Sequence, residues 1–205
     1  MTPDQMIQKF NVSRETLEQL KQFEDVVRKW NPRINLVSRR SLDDFWTRHI
    51  VDSVQVLRTV KPTGRWVDLG SGGGFPGIVV AICAATENPD LDIRLIESDQ
   101  RKSAFLRNAA RECGAKCTVI SKRIEQADAQ NADVLSARAL ADLTTLMEFS
   151  ERHLNKSGIA LFPKGVTWKK EVEDAQEKWS FELEAITSLT EPDAAILKIK
   201  GVTRV

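Results

Sequence analysis

The sequence predicts an α/β fold: a mostly parallel seven-stranded sheet with helices on both faces, behind an N-terminal helical cap. Three observations lead there. The first sixty residues carry helical patterning alone. From Arg65 onward, short apolar strands alternate with amphipathic helices. The first of those strands runs into a glycine-rich turn, "VDLGSGGGFPG", Val67 to Gly77. Such alternation gives parallel strands joined by right-handed helical crossovers, so both faces of the sheet are covered.

Taken in order, "SRETLEQLKQFEDVVRKWN" sets Leu20, Phe23, Val27 and Trp30 at intervals of three and four, one apolar stripe of a helix. Ser13 is its expected N-cap, Glu15 favours its first turn, and Pro32 is expected to end it. A second helix is expected from Ser41, burying Phe45, Trp46, Ile50, Val54 and Leu57 and stopping before "KPTG". "RWVDLG" is the first strand, and "FPGIVVAICAA" continues as a helix with Pro76 in its first turn. "LDIRLIESD" is the second strand. "DQRKSAFLRNAARECG" is the helix after it, capped by Asp99, terminated by Gly114, with Phe105, Leu106, Ala109 and Cys113 facing inward. "KCTVISKR", "ADVLSARA" and "GIALFPKG" supply three further strands, with helix "LTTLMEFSERHL" between the last two. A charged helix over Trp168 to Trp179 precedes "FELEAITSL" and "AILKIKG", which pair as a hairpin around "TEPDA" and add an antiparallel strand at one edge. Residues 1–60 read as the cap and residues 61–205 as one compact core.

The bulk numbers exclude several classes. At 205 residues the chain is long enough to bury roughly 70% of its unfolded surface without disulfides. Thirty Lys and Arg stand against 29 Asp and Glu, a net charge of +1. No global attraction to nucleic acid or anionic membrane follows, so a polyanion site must be a local patch. Cys83, Cys113 and Cys117 lack metal-type spacing, and their odd number fits reduced thiols; no metal site is expected. "MTPDQMIQKF" has no apolar leader, and no run approaches the roughly 20 residues of a membrane span. A soluble, cytoplasmic protein is expected.

The glycine turn lies at the carboxyl end of the first strand, where open α/β sheets bind ligands. No Gly-Lys-Ser/Thr follows, which excludes a P-loop. Gly72, Gly74 and Gly77 do satisfy G-x-G-x-x-G, and Glu97 lies twenty positions beyond, where an acid binding ribose is expected. An NAD-dependent oxidoreductase is therefore one alternative. Two details oppose it. Asp68, read at the strand's mouth, would repel a pyrophosphate and attract a cationic sulfonium. Pro76 removes one backbone donor that a pyrophosphate would use. The turn is better matched to S-adenosylmethionine, which carries positive charge, no phosphate, and ribose hydroxyls for Glu97 to accept.

"KWNPRINLVS", "RHIVDS", "DLGSGGGFPG", "ESDQRKSAFLR", "SARA" and "PKG" occur in the order found in one family. Together they resemble the small-subunit (16S) ribosomal RNA methyltransferase G family, also called glucose-inhibited division protein B, over about residues 25 to 165. The resemblance implies a Rossmann-like class I methyltransferase fold and methylation of guanine N7, giving 7-methylguanosine in 16S rRNA of the small ribosomal subunit. It maps cofactor contacts onto Gly70, Gly72 and Phe75 of the turn, Ile124 and Glu125 after the third strand, where the adenine would lie, and Arg138 in "SARA". Asp68 and Glu97 match the family's acids at the ends of the first two strands. Arg123, Arg138 and Lys164 match basic positions facing RNA or the reacting base. Where the family often has Thr-Gly-Pro-Gly, this turn reads Ser-Gly-Gly-Gly.

That chemistry fits the residue inventory. N7 carries its lone pair in the ring plane and no proton at neutral pH, so no general base is required. Proximity, alignment and a fixed polar environment are what the protein must provide. Arg138 suits a cofactor carboxylate or guanine O6, and Lys164 suits a phosphate. His49 reads as a hydrogen-bonded packing residue, with Asp52 and Ser53 joining the cap to the cofactor loop. Trp30 and Trp46 read as core. Arg101, Lys102, Arg107 and Arg111 share one helix, and Arg28, Lys29, Arg33, Arg39 and Arg40 cluster near the cap; with so low a net charge, selective binding of folded RNA is expected rather than tight binding of any RNA. Expected partners are 16S rRNA or the small subunit, with no membrane and no DNA, and a monomer suffices. A non-catalytic RNA-binding assembly factor is the remaining alternative.

Overall fold

The structure is a computed structural model that describes residue 5 and residues 9–205. The N-terminal decapeptide read above, and with it the start of the expected cap, lies mostly outside the described residues.

Helix α1, Arg14–Ile34, begins where Ser13 accepts a hydrogen bond from the Thr16 amide at 3.0 Å. Of its apolar stripe, Leu20, Phe23 and Val27 are fully buried and Trp30 is half-buried. Pro32 does not end it. The helix runs on to Ile34 and stops at Asn35 in the left-handed region, φ 52°. In the last turn a proline removes a single amide bond, which the helix tolerates. The real stop is Asn31, whose Oδ1 accepts from the amides of Leu36 (2.7 Å) and Val37 (2.9 Å) and folds the chain back over the helix end.

The next helical region differs from the single helix expected. Helix α2, Arg39–Asp43, is capped by Ser38 rather than beginning at Ser41. A π-helical stretch, Trp46–Val51, then runs directly into α3, Asp52–Arg58. Such wide turns are uncommon and concentrate at functional sites. Here the stretch carries Arg48 and His49, both of which meet Arg138 just past the end of β4.

From Arg65 the order is β1 (Arg65–Leu69), α4 (Gly77–Glu87), β2 (Asp92–Ile96), α5 (Gln100–Glu112), β3 (Thr118–Ile120), a short 3₁₀ turn (Ile124–Gln126), β4 (Ala132–Ala137), α6 (Leu143–His153), β5 (Leu154–Lys164), α7 (Trp168–Gln176), β6 (Trp179–Thr187) and β7 (Ala195–Arg204). Asp99 caps α5 as expected, and Gly114 follows it at φ 65°. The described residues form one seven-stranded sheet in the order β3-β2-β1-β4-β5-β7-β6. Strands β1 to β5 pair in parallel, whereas β7 is antiparallel to both of its neighbours.

The hairpin is therefore seated differently from the expectation of an antiparallel edge strand. Its second strand inserts against β5, and its first becomes the edge. The reason lies in the side chains. Ala195, Ile196, Leu197 and Ile199 of β7 are all buried, which suits an interior strand. Strand β6 buries only Trp179, half-buries Phe181, Leu183 and Ile186, and shows Glu182 and Glu184 to solvent, and charged side chains protect an open edge.

Two apolar clusters cover the two faces of the sheet. Trp66, Leu95 and Val134 join the cap and helices α4 and α5 on one face. Val67, Leu69, Ile96, Leu135 and Phe162 join α6 and α7 on the other. The chain leaves β1 toward β2 on one side and returns at β4 on the other, so a crevice opens at their carboxyl ends, the usual ligand position in such sheets. The three cysteines are free. Among the described residues no group of side chains could hold a metal ion, and no helix is long and apolar enough to cross a membrane.

Candidate cofactor and base site

A cavity of about 460 Å3 occupies that crevice. Gly70, Gly72 and Phe75 of the turn line it, with Glu97 after β2, Arg123, Ile124 and Glu125 after β3, and Arg138 after β4. One fold thus gathers residues from four separate segments. The wall also contains residues that sequence reasoning missed: Leu36 behind α1, Leu140 after β4, and Phe149 on α6. Leu36 and Leu140 stand inside or beside quoted motifs, which was the available signal; Phe149 comes from packing alone.

The turn is built for close approach. Gly70, Gly72 and Gly74 have φ of 59°, 49° and 87°, a region that costs glycine little. A Cβ on Gly70 would lie 2.5 Å from Leu140 Cδ1, so a side chain there would push the Leu140 methyl aside. The amides of the turn are largely engaged already. Ser71 donates to the Ile96 carbonyl (3.1 Å), Gly74 to the Ser71 carbonyl (2.7 Å), and Gly72 to Glu97 Oε2 (2.9 Å). The other oxygen of Glu97 accepts from the Asp99 amide at 2.8 Å. This buried carboxylate thus ties the turn to the start of α5 and keeps lone pairs for a ligand diol. A pyrophosphate laid here would meet a carboxylate where it needs free amides. Ile96, Ile124, Leu140 and Phe149 add apolar walls suited to a flat heterocycle.

Asp68 is elsewhere, and this corrects its place at the strand's mouth. Its side chain is fully buried beneath the turn and does not line the cavity. Trp66 Nε1 donates to Ser136 Oγ at 2.9 Å, and Ser136 Oγ donates to Asp68 Oδ1 at 2.7 Å. Oδ2 faces the first turn of α4, where a Cβ on Gly77 would lie 2.7 Å away. Burial pushes the carboxyl up to about 6, against the opposing effect of Ser136, Ser71 and the Gly77 amide. The attraction for a sulfonium argued from Asp68 therefore lacks its geometric basis. Exclusion of a diphosphate rests instead on Glu97 and the engaged amides.

Arg138 is the hub between cap and sheet. Its guanidinium donates to the Arg48 carbonyl (2.9 Å) and to His49 Nδ1 (2.8 Å) and lies 3.9 Å from Asp52 Oδ2. It also sits 5.0 Å from the centroid of Phe75, whose other contacts include the His49 ring, stacked at 4.7 Å. Asp52 accepts from the hydroxyl of Thr190, and the Ser53 hydroxyl donates to the His49 carbonyl at 2.6 Å. Asp52 therefore joins the cap to Arg138 and to the β6–β7 turn, while Ser53 bonds back within the cap; neither is joined to the glycine turn as expected. Lys164 also departs from expectation. Its ammonium is 2.6 Å from both Glu171 Oε2 and the Ala141 carbonyl, so it is engaged rather than presented to a phosphate. It lines a second cavity of about 400 Å3 next to the first. Arg123 is exposed on the rim. Trp30 packs 5.9 Å from Phe105, and Trp46 donates to Glu24 at 2.6 Å, which places both in packing roles.

His49 is a buried packing residue, as expected, but a neutral one. Arginine only donates, so Nδ1 accepts and the ring proton sits on Nε2. Burial, then Arg138 and Arg48, push the imidazole down from 6.5 to about 3. Because the folded value is the lower one, the stability from this ring is fully present above pH 6.5 and is lost as pH falls toward 3. Between pH 7 and pH 5 that loss is about 2 kcal/mol. Asp68 works in the opposite sense, its contribution fading as pH rises through about 6. The urea midpoint should therefore fall further between these pH values in the parent chain than in His49→Gln. Equal falls would remove His49 from the account.

Residues 16–197 match the model of a family described as rRNA small subunit methyltransferase G. A protein of Ruegeria pomeroyi named ribosomal RNA small subunit methyltransferase G is 63% identical, over 100% of both chains. One of the same name from Paracoccus denitrificans is 52% identical, over 94% of this chain and 98% of its own. In fold, the chain is similar to a TehB-like SAM-dependent methyltransferase from Corynebacterium glutamicum, with a TM-score of 0.58 at 13% identity over 89% of this chain and 99% of that one. A variant of MtNAS in complex with S-adenosylmethionine gives 0.60 at 13%, over 89% and 71%.

Proposed function

The chain belongs to the rRNA small subunit methyltransferase G family, and from that premise we propose that it methylates N7 of one guanosine in 16S rRNA of the small ribosomal subunit, using S-adenosylmethionine. It is a methyltransferase, which sets aside both the oxidoreductase and the assembly-factor alternatives. We place its work in the cytoplasm, as a monomer, with residues 1–60 acting as a cap on a core of 61–205.

The observation that carries the cofactor assignment is the Glu97 carboxylate, bonded to the Gly72 amide at 2.9 Å on the cavity wall. It offers acceptors to a ribose diol and already occupies the Gly72 amide that a diphosphate would use. Bound there, S-adenosylmethionine supplies an electrophilic methyl group. The chain's own residues bind and orient. Gly70, Gly72 and Phe75 shape the turn, Ile124 and Glu125 flank the adenine position, and Arg138 stands where the methyl acceptor must come. Arg123 on the rim suits RNA phosphate. No side chain is asked to remove a proton, because N7 has none to lose. The catalytic contribution is alignment in a fixed polar setting.

Small subunits lacking the modification, incubated with the protein and labelled S-adenosylmethionine, should gain one methyl group per particle. Mass spectrometry of the digested rRNA should show 7-methylguanosine at a single nucleotide. Methylation of another base, or of no RNA at all, would overturn the assignment.

A further inference from the structure

The second cavity, of about 400 Å3, shares Arg138, Ala139 and Ala141 with the cofactor cavity and reaches the turn between β6 and β7. Resting on the assignment of N7 as methyl acceptor, we propose that this cavity seats the target guanine by its Watson–Crick edge, with the Glu191 carboxylate accepting from N1–H and the N2 amino group.

The order of atoms around the base matches the order of the walls. Along the purine rim N7, O6, N1 and N2 follow one another. With N7 turned to the cofactor cavity, O6 meets the partition between the cavities and N1 and N2 point into the second one. The partition is Arg138, a donor suited to O6. Beyond it the wall must accept hydrogen bonds from N1–H and N2–H, and it carries three carboxylates, Asp52, Glu171 and Glu191. Two are committed. Glu171 Oε2 accepts from Lys164 Nζ at 2.6 Å and from the Leu143 amide at 3.1 Å. Asp52 accepts from the Thr190 hydroxyl and faces Arg138 at 3.9 Å. Glu191 has a looser partner, Arg48 at 4.0 Å, and its side chain is 39% exposed. It is the carboxylate left to read a base.

The turn that bears it is fixed in advance. Buried Gln55 donates to the Thr187 carbonyl (2.8 Å) and accepts from the Leu189 amide (3.0 Å), while Ser188 Oγ accepts from the amides of Thr190 (3.2 Å) and Glu191 (3.3 Å). Helix α3 thus holds a surface turn at three points, two through Gln55 and one through Asp52, and Ser188 braces it from within. Such tethering gives a reading group the fixed position that discrimination needs.

Guanosine and inosine monophosphates separate this proposal from its neighbours, because inosine lacks only the 2-amino group. Each is titrated by NMR into the protein saturated with S-adenosylhomocysteine. The parent should bind the guanosine nucleotide at least about fivefold more tightly. In Glu191→Ala, and in Glu191→Gln, which retains shape but turns one acceptor into a donor, that ratio should fall to about one. Calorimetric affinity for S-adenosylhomocysteine should stay at the parent's value in both variants, which reports an intact fold. A parent ratio of one, or a parent-like ratio in the alanine variant, would overturn the role of Glu191. If the parent still makes 7-methylguanosine in small subunits, the methyltransferase assignment survives that failure. A methyl group found at another atom of the base would sink both.

Discussion

Replacing Glu97 by alanine is expected to weaken S-adenosylmethionine binding about 100-fold, with the chain still folded. The carboxylate makes two charge-assisted bonds, to the Gly72 amide at 2.9 Å and the Asp99 amide at 2.8 Å. Its remaining lone pairs face the cavity, so the loss combines the ligand's own bonds with the stiffness of the turn. Glu97→Gln should fare little better. A carboxamide has one oxygen, and its NH2 would confront one of the two backbone amides donor to donor. Isothermal titration calorimetry gives the affinity, and a retained melting transition shows that the chain folds. Affinity within about threefold of the parent in both variants would remove Glu97 from the ligand site.

A change of Arg138 to methionine is expected to strike both stability and catalysis. The guanidinium satisfies the Arg48 carbonyl and His49 Nδ1 and offsets the charge of Asp52. Deleting one partner of a desolvated set leaves the others uncompensated, at a cost of about 3–5 kcal/mol. Methionine restores some stem volume but no donors. Single-turnover methylation of small subunits at saturating cofactor should fall by at least about 100-fold, because the cap and Phe75 lose their common anchor. Urea denaturation reads the first effect and rapid quench the second. A variant as stable as the parent would show that the cap is held by apolar contact alone.

Much of this was legible in the sequence because it rests on local periodicity. Apolar spacing located α1 and α5, the glycine turn located the crevice, and Glu97 stood at the spacing that a βαβ unit imposes. What could not be read depends on direction or distance. Asp68 was placed at the strand's mouth, yet on a strand successive side chains alternate, and Asp68 shares its face with Trp66. That parity aims it under α4, into the Trp66–Ser136 hydrogen-bond chain. Arg138 meets Arg48 and His49 from ninety residues away, through a π-helical register that no propensity announces. Pro32 misled because a proline in a final turn is tolerated and the stop is made by an asparagine side chain. Lys164 is paired with Glu171, a neighbour one helical turn into the next element, which the strand pattern does not announce.

The insertion of β7 between β5 and β6 also carries a sense of time. Every described residue around the donor crevice has been synthesised once Phe149 is made. The opposite compartment waits for Ser188 to Ile196, on a strand that must slide in sideways against β5. The far wall of the second cavity is thus the last part of the two cavities to be synthesised.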